Sequence, residues 1–152
     1  MAVAQDHWAA NWVRAERGVV PPNSFWEGDH PSHAIGRGHY NGGVHIGYVK
    51  QDHGLVIGWG GNEVILPEYE VLTGDKSHFH WVHCSGPCRP HNFIPLKGGH
   101  EADYKELYIA KTHHHGKDRI GKAGEHLIDG MSYVDDGREN SAFDYYVFAF
   151  RN

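Results

Sequence analysis

The chain has 152 residues, a length that suits one ordinary domain or two small units packed together. Its 14 Lys and Arg stand against 19 Asp and Glu, so the net charge of −5 argues against nucleic acid as a partner. Twenty glycines, five tryptophans and eight tyrosines favour short strands joined by glycine turns, and the longest apolar runs are far too short for a membrane span. We therefore predict an all-β fold.

The amino terminus predicts no secretory leader. The opening MAVAQDHWAANWV has neither a basic start nor an apolar run, so we expect a cytoplasmic protein or one released without a leader. Cys84 and Cys88 are the only cysteines, and two free thiols are favoured over a disulfide. The sequence leaves their redox state open.

The first extended motif, WVRAERGVVPPN at 12–23, returns later as WVHCSGPCRPHN at 81–92. Tryptophan, valine, proline and asparagine recur at identical spacing, whereas the cysteines of the second copy have no counterpart in the first. A motif that recurs without its supposed ligands indicates an internal repeat rather than a metal or redox site.

The repeat continues through both halves of the chain. Gly42, Ile46 and Gly47 correspond to Gly116, Ile120 and Gly121, and EYEVL at 68–72 corresponds to DYYVF at 144–148. We therefore predict a single tandem-repeat domain over 1–152, with repeat one at about 12–72, a connector at 73–80 and repeat two at about 81–148. Because each repeat alone is too small to bury much core, we expect two β-rich repeats of antiparallel sheets packed about a pseudo-twofold axis.

Two segments illustrate how the elements are predicted. Gly54–Trp59 is an apolar run bounded by glycines, which favours a buried strand, and the residues at 60–62 form a turn signal. At 101–111, Glu101 and Lys105 have helical spacing, but no capping residue precedes them. Leu107, Tyr108 and Ile109 suit a strand better, so we favour a strand there.

Fifteen histidines are the most unusual feature of the composition, and the blocks at 113–115 and at His78, His80 and His83 suggest a metal site. Consecutive residues of a strand point to opposite faces, so three adjacent histidines cannot all ligate one ion without a bend. His78 and His80 would converge with Asp75 if that segment is extended. We favour solvated surface histidines and predict neither a metal nor a cofactor.

The sequence predicts no enzyme. Acyl transfer needs a nucleophile held by a base, and Cys84 or Ser85 beside His83 is the sole local candidate. No G-x-S-x-G elbow is present, and GWGGNE lacks the Lys-Ser/Thr of a phosphate-binding loop. Carboxylates and lysines around glycine turns, with aromatic rings nearby, instead suit a sugar, which needs hydrogen-bond acceptors, a cationic donor and often a stacking surface.

Four motifs, WV with PPN, then GRGHYNGG, then GGNE, then YEVL, resemble the DM-nine repeat. This β-rich module occurs in tandem in mannose-binding lectins of bivalves and is attached to natterin-like pore-forming proteins. The resemblance covers nearly the whole chain. It is strong in repeat one and weaker in repeat two, which loses the GGxE turn.

The resemblance implies a sugar site made of an acidic residue after a GG turn and a lysine after a later glycine. In repeat two these positions fall on Glu101 of GGHE and Lys122 of IGK, 21 positions apart. The family pattern has Asp where this chain has Glu101, and the extra methylene moves the carboxylate by about an ångström, so the sugar preference is expected to differ from the family's.

In repeat one the pattern implied by the resemblance is altered. The lysine position holds Tyr48, and the turn contains Glu27 followed by a single glycine. Asp29 and Lys50, which are also 21 positions apart, are the nearest substitutes. Lys50 and Tyr48 share a strand face if the strand continues.

The resemblance implies a non-catalytic lectin that binds mannose or mannose-like terminal sugars, with recognition and agglutination of microbes in innate immunity as its use. Individual sugar sites are weak, so a homodimer is expected to raise avidity. Two alternatives stay open: a histidine-rich metal-binding protein, and a repeat scaffold that binds a protein partner.

Overall fold

The computed structural model describes residues 9–28 and 33–151. Most of these residues lie in strands, and the predicted all-β fold is confirmed. The first half contains β1 (Ala10–Glu16), β2 (Ala34–Tyr40), β3 (Gly43–Lys50), β4 (Gly54–Trp59), β5 (Asn62–Leu66) and β6 (Glu68–Gly74). A 3-10 turn at Lys76–His78 leads to β7 (Phe79–Ser85), β8 (Lys97–His100), β9 (Glu106–His114), β10 (Lys117–Ala123), β11 (Met131–Asp135), β12 (Arg138–Ala142) and β13 (Asp144–Phe150).

The strands form one antiparallel sheet whose order is symmetric about its middle. The order is β1-β6-β2-β3-β4-β5-β12-β11-β10-β9-β13-β7, and β8 lies off this path, paired with β3 and β9. Reading outward from the centre, β5 and β12, β4 and β11, β3 and β10, β2 and β9, β6 and β13, and β1 and β7 occupy equivalent places. The predicted pseudo-twofold arrangement of two antiparallel repeats is therefore confirmed.

The two repeats meet through the tips of equivalent hairpins. The N–H of Glu63 donates to the Gly137 carbonyl at 3.2 Å, and the N–H of Glu139 donates to the Gly61 carbonyl at 3.1 Å. Glu139 closes the sequence DGRE, which takes the place of GGNE in repeat one. The GGxE turn that repeat two lacks by sequence is therefore present in its structure, with an aspartate in place of the first glycine.

A cationic side chain lies over the ring of each recurring tryptophan. The Arg37 guanidinium lies 4.1 Å from the centre of the Trp12 ring, and the Lys111 ammonium lies 4.3 Å from that of Trp81. Arg37 in β2 and Lys111 in β9 occupy equivalent positions of the two repeats. Cation–π contacts of this kind explain why the tryptophan of the opening WV motif recurs.

The recurring asparagines and tyrosines fix the loops after β1 and β7. Asn23 and Asn92 both have φ of 63°, a left-handed conformation that asparagine tolerates better than most residues. The hydroxyl of Tyr69 donates to the Val19 carbonyl at 3.0 Å, and the hydroxyl of Tyr145 donates to the Gly86 carbonyl at 2.6 Å. The repeated motif is therefore structural.

The main core crosses from one repeat to the other. Ile35, Ile46 and Leu72 of repeat one belong to the same buried cluster as their counterparts Ile109, Ile120 and Phe148 of repeat two. A side chain at Gly47 or Gly121 would collide with a backbone carbonyl of the neighbouring strand, so both positions require glycine. The following residue is buried in each repeat, Tyr48 in this shared core and Lys122 against Gly58 and His45.

The segment at 101–111 is a turn followed by a strand. The N–H of Glu101 donates to the Lys105 carbonyl at 2.9 Å, and β9 begins at Glu106. The strand favoured from sequence for Leu107 to Ile109 is therefore confirmed. Among the described residues, no helix is long and apolar enough to cross a membrane.

Candidate functional site

Glu101 and Lys122, 21 positions apart in the sequence, lie in one charged cluster at the junction of the two repeats. The side chain of Lys122 is 6% exposed, and its ammonium donates to the Gly58 carbonyl at 2.7 Å. It also lies 2.9 Å from His45 Nδ1. Burial lowers the pKa of Lys122, whereas the carboxylates of Glu139 and Glu101 act in the opposite direction.

His45 is the buried neutral partner of the lysine. Burial, with the charge of Lys122 adding to it, lowers the pKa of His45 to about 4. The ring is therefore neutral at physiological pH, and Nδ1 accepts a hydrogen bond from the ammonium. Gly58 and His45 both belong to repeat one, so each side of the pseudo-twofold axis contributes to the lysine site.

Two carboxylates form the outer side of the cluster. Glu101 is 27% exposed, and its Oε2 lies 2.7 Å from Nε2 of His126. Glu139 is 19% exposed and lies 4.0 Å from the Lys122 ammonium through Oε2. The Gly61 N–H donates to Glu139 Oε1 at 3.0 Å, and the Ser132 hydroxyl donates to Oε2. Both carboxylates are held in place while part of their surface faces solvent.

Local structure explains how Glu101 reaches this place. The short strand β8 pairs with β3 of the other repeat through Val44 and His100, and with β9 of its own repeat. The turn that follows starts at Glu101, so the carboxylate emerges beside His45 of β3. A side chain at Gly43 would meet the backbone of His100 and Glu101, so the glycine permits this close approach.

Across the axis, Glu27 and Tyr48 occupy the positions equivalent to Glu101 and Lys122. Arg119 takes the position of His45, since it precedes the matched residue Ile120 as His45 precedes Ile46. Glu27 is 4% exposed, accepts from the Ile120 N–H at 2.9 Å and lies 3.6 Å from the Arg119 guanidinium. Both oxygens of this carboxylate therefore have partners within the protein.

The other repeat-one candidates lie at the margin of this second cluster or outside it. Tyr48 stacks on His33 with ring centres 4.7 Å apart, and burial raises the pKa of Tyr48 to about 12. Lys50 is exposed at the end of β3, and the cation beside Glu27 is Arg119. Asp29 lies outside the described residues.

The nucleophile candidates lack an activated arrangement. The hydroxyl of Ser85 donates to Asp144 Oδ1 at 2.6 Å, and His83 lies 3.4 Å from the same oxygen. A nucleophile needs the base between itself and the acid, whereas here the carboxylate stands between serine and histidine. Both thiols are free, and burial raises the pKa of Cys88 to about 12, so its reactive thiolate is disfavoured.

Among the surface cavities that the described residues form, two that carry charged groups or aromatic rings lie away from the lysine cluster. One of about 400 Å³ is lined by Arg14 and Arg37, which pair with Glu68 and Glu70 at 3.2 and 2.8 Å. Another of about 230 Å³ has an aromatic wall that includes Trp26, Phe79 and Trp81, with Lys76 and Lys111 beside it. The arginines of the first cavity already have carboxylate partners, whereas the second cavity offers a ring and cations.

The family follows from a direct comparison of sequences. The DM9 repeat family model matches residues 35–141, more than half of the chain. The chain belongs to the DM9 repeat family. No curated protein matches it.

The solved structures show that a DM9 chain of this kind shares its fold with a larger protein. The nematode sperm cell motility protein MFP2B is similar over 95% of this chain and 45% of its own length, with a TM-score of 0.68 and 13% identity. The chain thus spans less than half the length of that protein. At this identity the likeness shows a common fold.

Within the DM9 fold, three residues of the cluster escape sequence reasoning. His45 belongs to the other repeat, and His126 has no counterpart in a family motif. Glu139 follows a hairpin turn whose sequence differs between the repeats. The available signal was the pairing of GGNE with DGRE, which identifies Glu139 as the match of Glu63. His45 and His126 require the packed structure.

Proposed function

We propose that this protein is a non-catalytic carbohydrate-binding protein whose site is the cluster of Glu101, Lys122, His45 and Glu139. The observation that carries the proposal is a fixed ammonium with one unused donor beside two partly exposed carboxylates. Lys122 has three N–H groups, two of which serve Gly58 and His45. Among the described residues, Glu139 at 4.0 Å is too distant to take the third as a hydrogen bond.

This arrangement matches the hydroxyl pattern of a sugar. Two vicinal hydroxyls together can accept a hydrogen bond from one protein donor and donate hydrogen bonds to one or two protein acceptors. The third N–H of Lys122 supplies the donor. Glu101 Oε1 supplies an acceptor, because Oε2 is held by His126 at 2.7 Å. Charge-assisted hydrogen bonds of this type are about twice as strong as neutral ones.

We favour mannose or a mannose-like terminal sugar as the ligand. The DM9 membership supports a sugar-binding role, and the spacing of Glu101 and Lys122 follows the pattern of the bivalve lectins that the sequence resembles. The bond from Glu101 to His126 holds the longer side chain in one orientation. A vicinal diol, such as mannose carries, is the class of ligand that a free N–H beside carboxylate acceptors suits.

The proposal assigns binding without chemistry. Two acceptor atoms hold the Lys122 ammonium, which supports a role as hydrogen-bond donor to the ligand. The equivalent position in repeat one is Tyr48 beside Arg119 and a buried Glu27, so we assign one sugar site to each chain. A homodimer would then provide the second site needed for avidity or agglutination.

Isothermal titration with mannose, and with galactose for comparison, tests the proposal. Lys122→Met keeps the volume of the side chain and removes the donor, and Glu101→Gln removes the outer charge. Loss of a charged hydrogen bond costs about 1.5–3 kcal/mol, so each variant should bind mannose roughly 10- to 100-fold more weakly. Circular dichroism and chemical denaturation check that both variants are folded.

Lys50→Met is the matched control. It removes an exposed lysine from the repeat-one position predicted by sequence and should leave affinity and stoichiometry unchanged. If Lys50→Met halves the stoichiometry, repeat one also binds. If Lys122→Met and Glu101→Gln retain affinity while Trp81→Ala loses it, the site is the aromatic cavity. A wild-type protein that binds no sugar overturns the proposal.

A further inference from the structure

The hairpin between β9 and β10 brings two adjacent histidines together with an aspartate of β11. His114 ends β9, and His115 begins the two-residue turn with φ of 50°. The bend that sequence reasoning required for adjacent histidines is therefore present at this turn. The rings of His114 and His115 lie with their centres 3.8 Å apart, beside Asp135.

The three side chains offer one ligand atom each within a small volume. An imidazole nitrogen from each histidine and a carboxylate oxygen of Asp135 all lie within 4.8 Å of one another. Tetrahedral zinc, with ligands about 2.0–2.2 Å away, requires ligand atoms roughly 3.4 Å apart. His114 Nε2 and Asp135 Oδ2 already stand 3.4 Å apart. Only the exposed ring of His115 has to move.

The other repeat shows that the fold does not require these residues. The equivalent hairpin of repeat one has Tyr40 and Asn41 in place of the two histidines, and its turn begins with Asn41 at φ of 46°. Tyr40 contacts Trp59 edge to face at 5.5 Å. Trp59 ends β4 as Asp135 ends β11. An aromatic contact in one repeat is thus replaced in the other by three side chains of types that can ligate a metal.

The surrounding charges leave one carboxylate oxygen for an ion. The Arg119 guanidinium lies 3.6 Å from Asp135 Oδ1, while Oδ2 faces His114. Arg119 is also 3.6 Å from Glu27, which offsets its charge within the cluster. The arrangement resembles the outer partners that orient ligating carboxylates in metal sites. His113 points elsewhere and pairs with Asp118 at 3.1 Å.

We propose that His114, His115 and Asp135 bind a divalent transition metal, with Zn²⁺ as the best-suited ion. Two imidazoles and one carboxylate are a ligand set that zinc accepts, with the fourth position open to water or to a further ligand. Mixed nitrogen and oxygen ligands argue against Ca²⁺ and Mg²⁺, which prefer oxygen. The site is separate from the sugar cluster and its test does not depend on a sugar.

Zinc titration of protein made without a polyhistidine tag, after dialysis against a chelator, measures the site. The wild type should bind one equivalent of Zn²⁺, and Co²⁺ should give the intense visible absorption of a four-coordinate ion. His114→Ala, His115→Asn and Asp135→Asn should each weaken Zn²⁺ binding at least tenfold, roughly the lower bound seen for loss of even an outer-shell partner. His115→Asn recreates the turn residue of repeat one, so the hairpin is preserved.

His113→Ala is the control, because it removes a histidine of the same block whose ring pairs with Asp118. It should leave the zinc affinity and the cobalt spectrum unchanged. The proposal is overturned if the wild type binds no zinc with micromolar or better affinity. It is equally overturned if the His115→Asn variant unfolds at the wild-type temperature and binds zinc with wild-type affinity. The third contradicting result is a His113→Ala variant whose zinc affinity falls as much as that of the His115→Asn variant.

Discussion

The clusters around Glu101 and Glu27 are related by the pseudo-twofold axis. They use equivalent backbone positions, but their side chains have different partners and different exposure. Each carboxylate lies against a histidine, Glu101 against His126 and Glu27 against His33, but Glu101 keeps part of its surface exposed. Glu27 is buried and also contacts the backbone N–H of Ile120 and Arg119. Beside them stand a lysine in one repeat and Tyr48 in the other. One copy of the acidic residue is buried in contacts within the fold, whereas the other keeps part of its carboxylate open to solvent.

Glu27→Ala is expected to cause the largest loss of stability. It leaves the buried Ile120 N–H without an acceptor and removes one of the two carboxylates of Arg119. Breaking a buried pair typically costs 3–5 kcal/mol, and because Asp135 remains, we expect about 3 kcal/mol. Urea unfolding measures the change in the free energy of unfolding.

Glu101→Ala, at the equivalent position, is the comparison. Its carboxylate is 27% exposed, and among the described residues it pairs with His126 alone, so we expect a change of below about 1 kcal/mol. Equal losses in the two variants would show that both carboxylates serve the fold, and the contrast between the repeats would disappear.

The pH dependence of the unfolding free energy should reveal His45, whose place in the other cluster is taken by Arg119, a residue that keeps its charge over this pH range. Burial lowers the pKa of His45 to about 4 in the folded protein, whereas the ordinary value is 6.5. Its contribution is therefore complete above pH 6.5 and is lost as the pH falls towards 4, because the unfolded chain binds the proton first. The loss should reach about 3 kcal/mol across this window.

His45→Asn is the control, because the amide oxygen can still accept from Lys122 and does not titrate. The variant should show a shallower fall in unfolding free energy between pH 6.5 and 4 than the wild type. Carboxylates titrate in both proteins, so the difference between the two curves reports His45. Superimposable curves would mean that His45 is not held neutral by the fold.

Removing the hydroxyls of the two recurring tyrosines should give a smaller difference in the free energy of unfolding. Tyr145→Phe leaves the Gly86 carbonyl buried without its donor, whereas Tyr69→Phe leaves the carbonyl of Val19, a residue that is 61% exposed and open to water. We expect about 1–2 kcal/mol for Tyr145→Phe and about 0.5–1 kcal/mol for Tyr69→Phe. Thermal unfolding of both variants measures the order, and a larger loss for Tyr69→Phe would contradict it.

The sequence is sufficient for the fold class and the repeat, because both depend on local patterns. Gly47 and Gly121 recur since a backbone carbonyl excludes any side chain there, and Asn23 and Asn92 recur since their loops need a left-handed residue. Such requirements act on each repeat separately. They are therefore visible as residues at constant spacing.

The candidate site is less predictable because it combines residues from both repeats. Glu101 and Lys122 follow from spacing, but His45 is 77 positions from Lys122 and joins it through packing alone. Glu139 is obscured because the segment before Gly130 is two residues longer than the segment before Gly54, which shifts the match of the hairpins. Spacing alone cannot show the exchange of contacts across the axis.

The reciprocal bonds between the hairpin tips also bear on how such proteins arise. The backbone N–H groups of Glu63 and Glu139 each donate to a carbonyl at the same place in the partner hairpin, so the contact is of the isologous kind found in twofold dimers. Two separate chains of one repeat each could close by the same bonds, but their two sites would be identical. Joining the repeats in one chain lets each copy change independently, so a tyrosine in one half and a lysine in the other become compatible with a single fold.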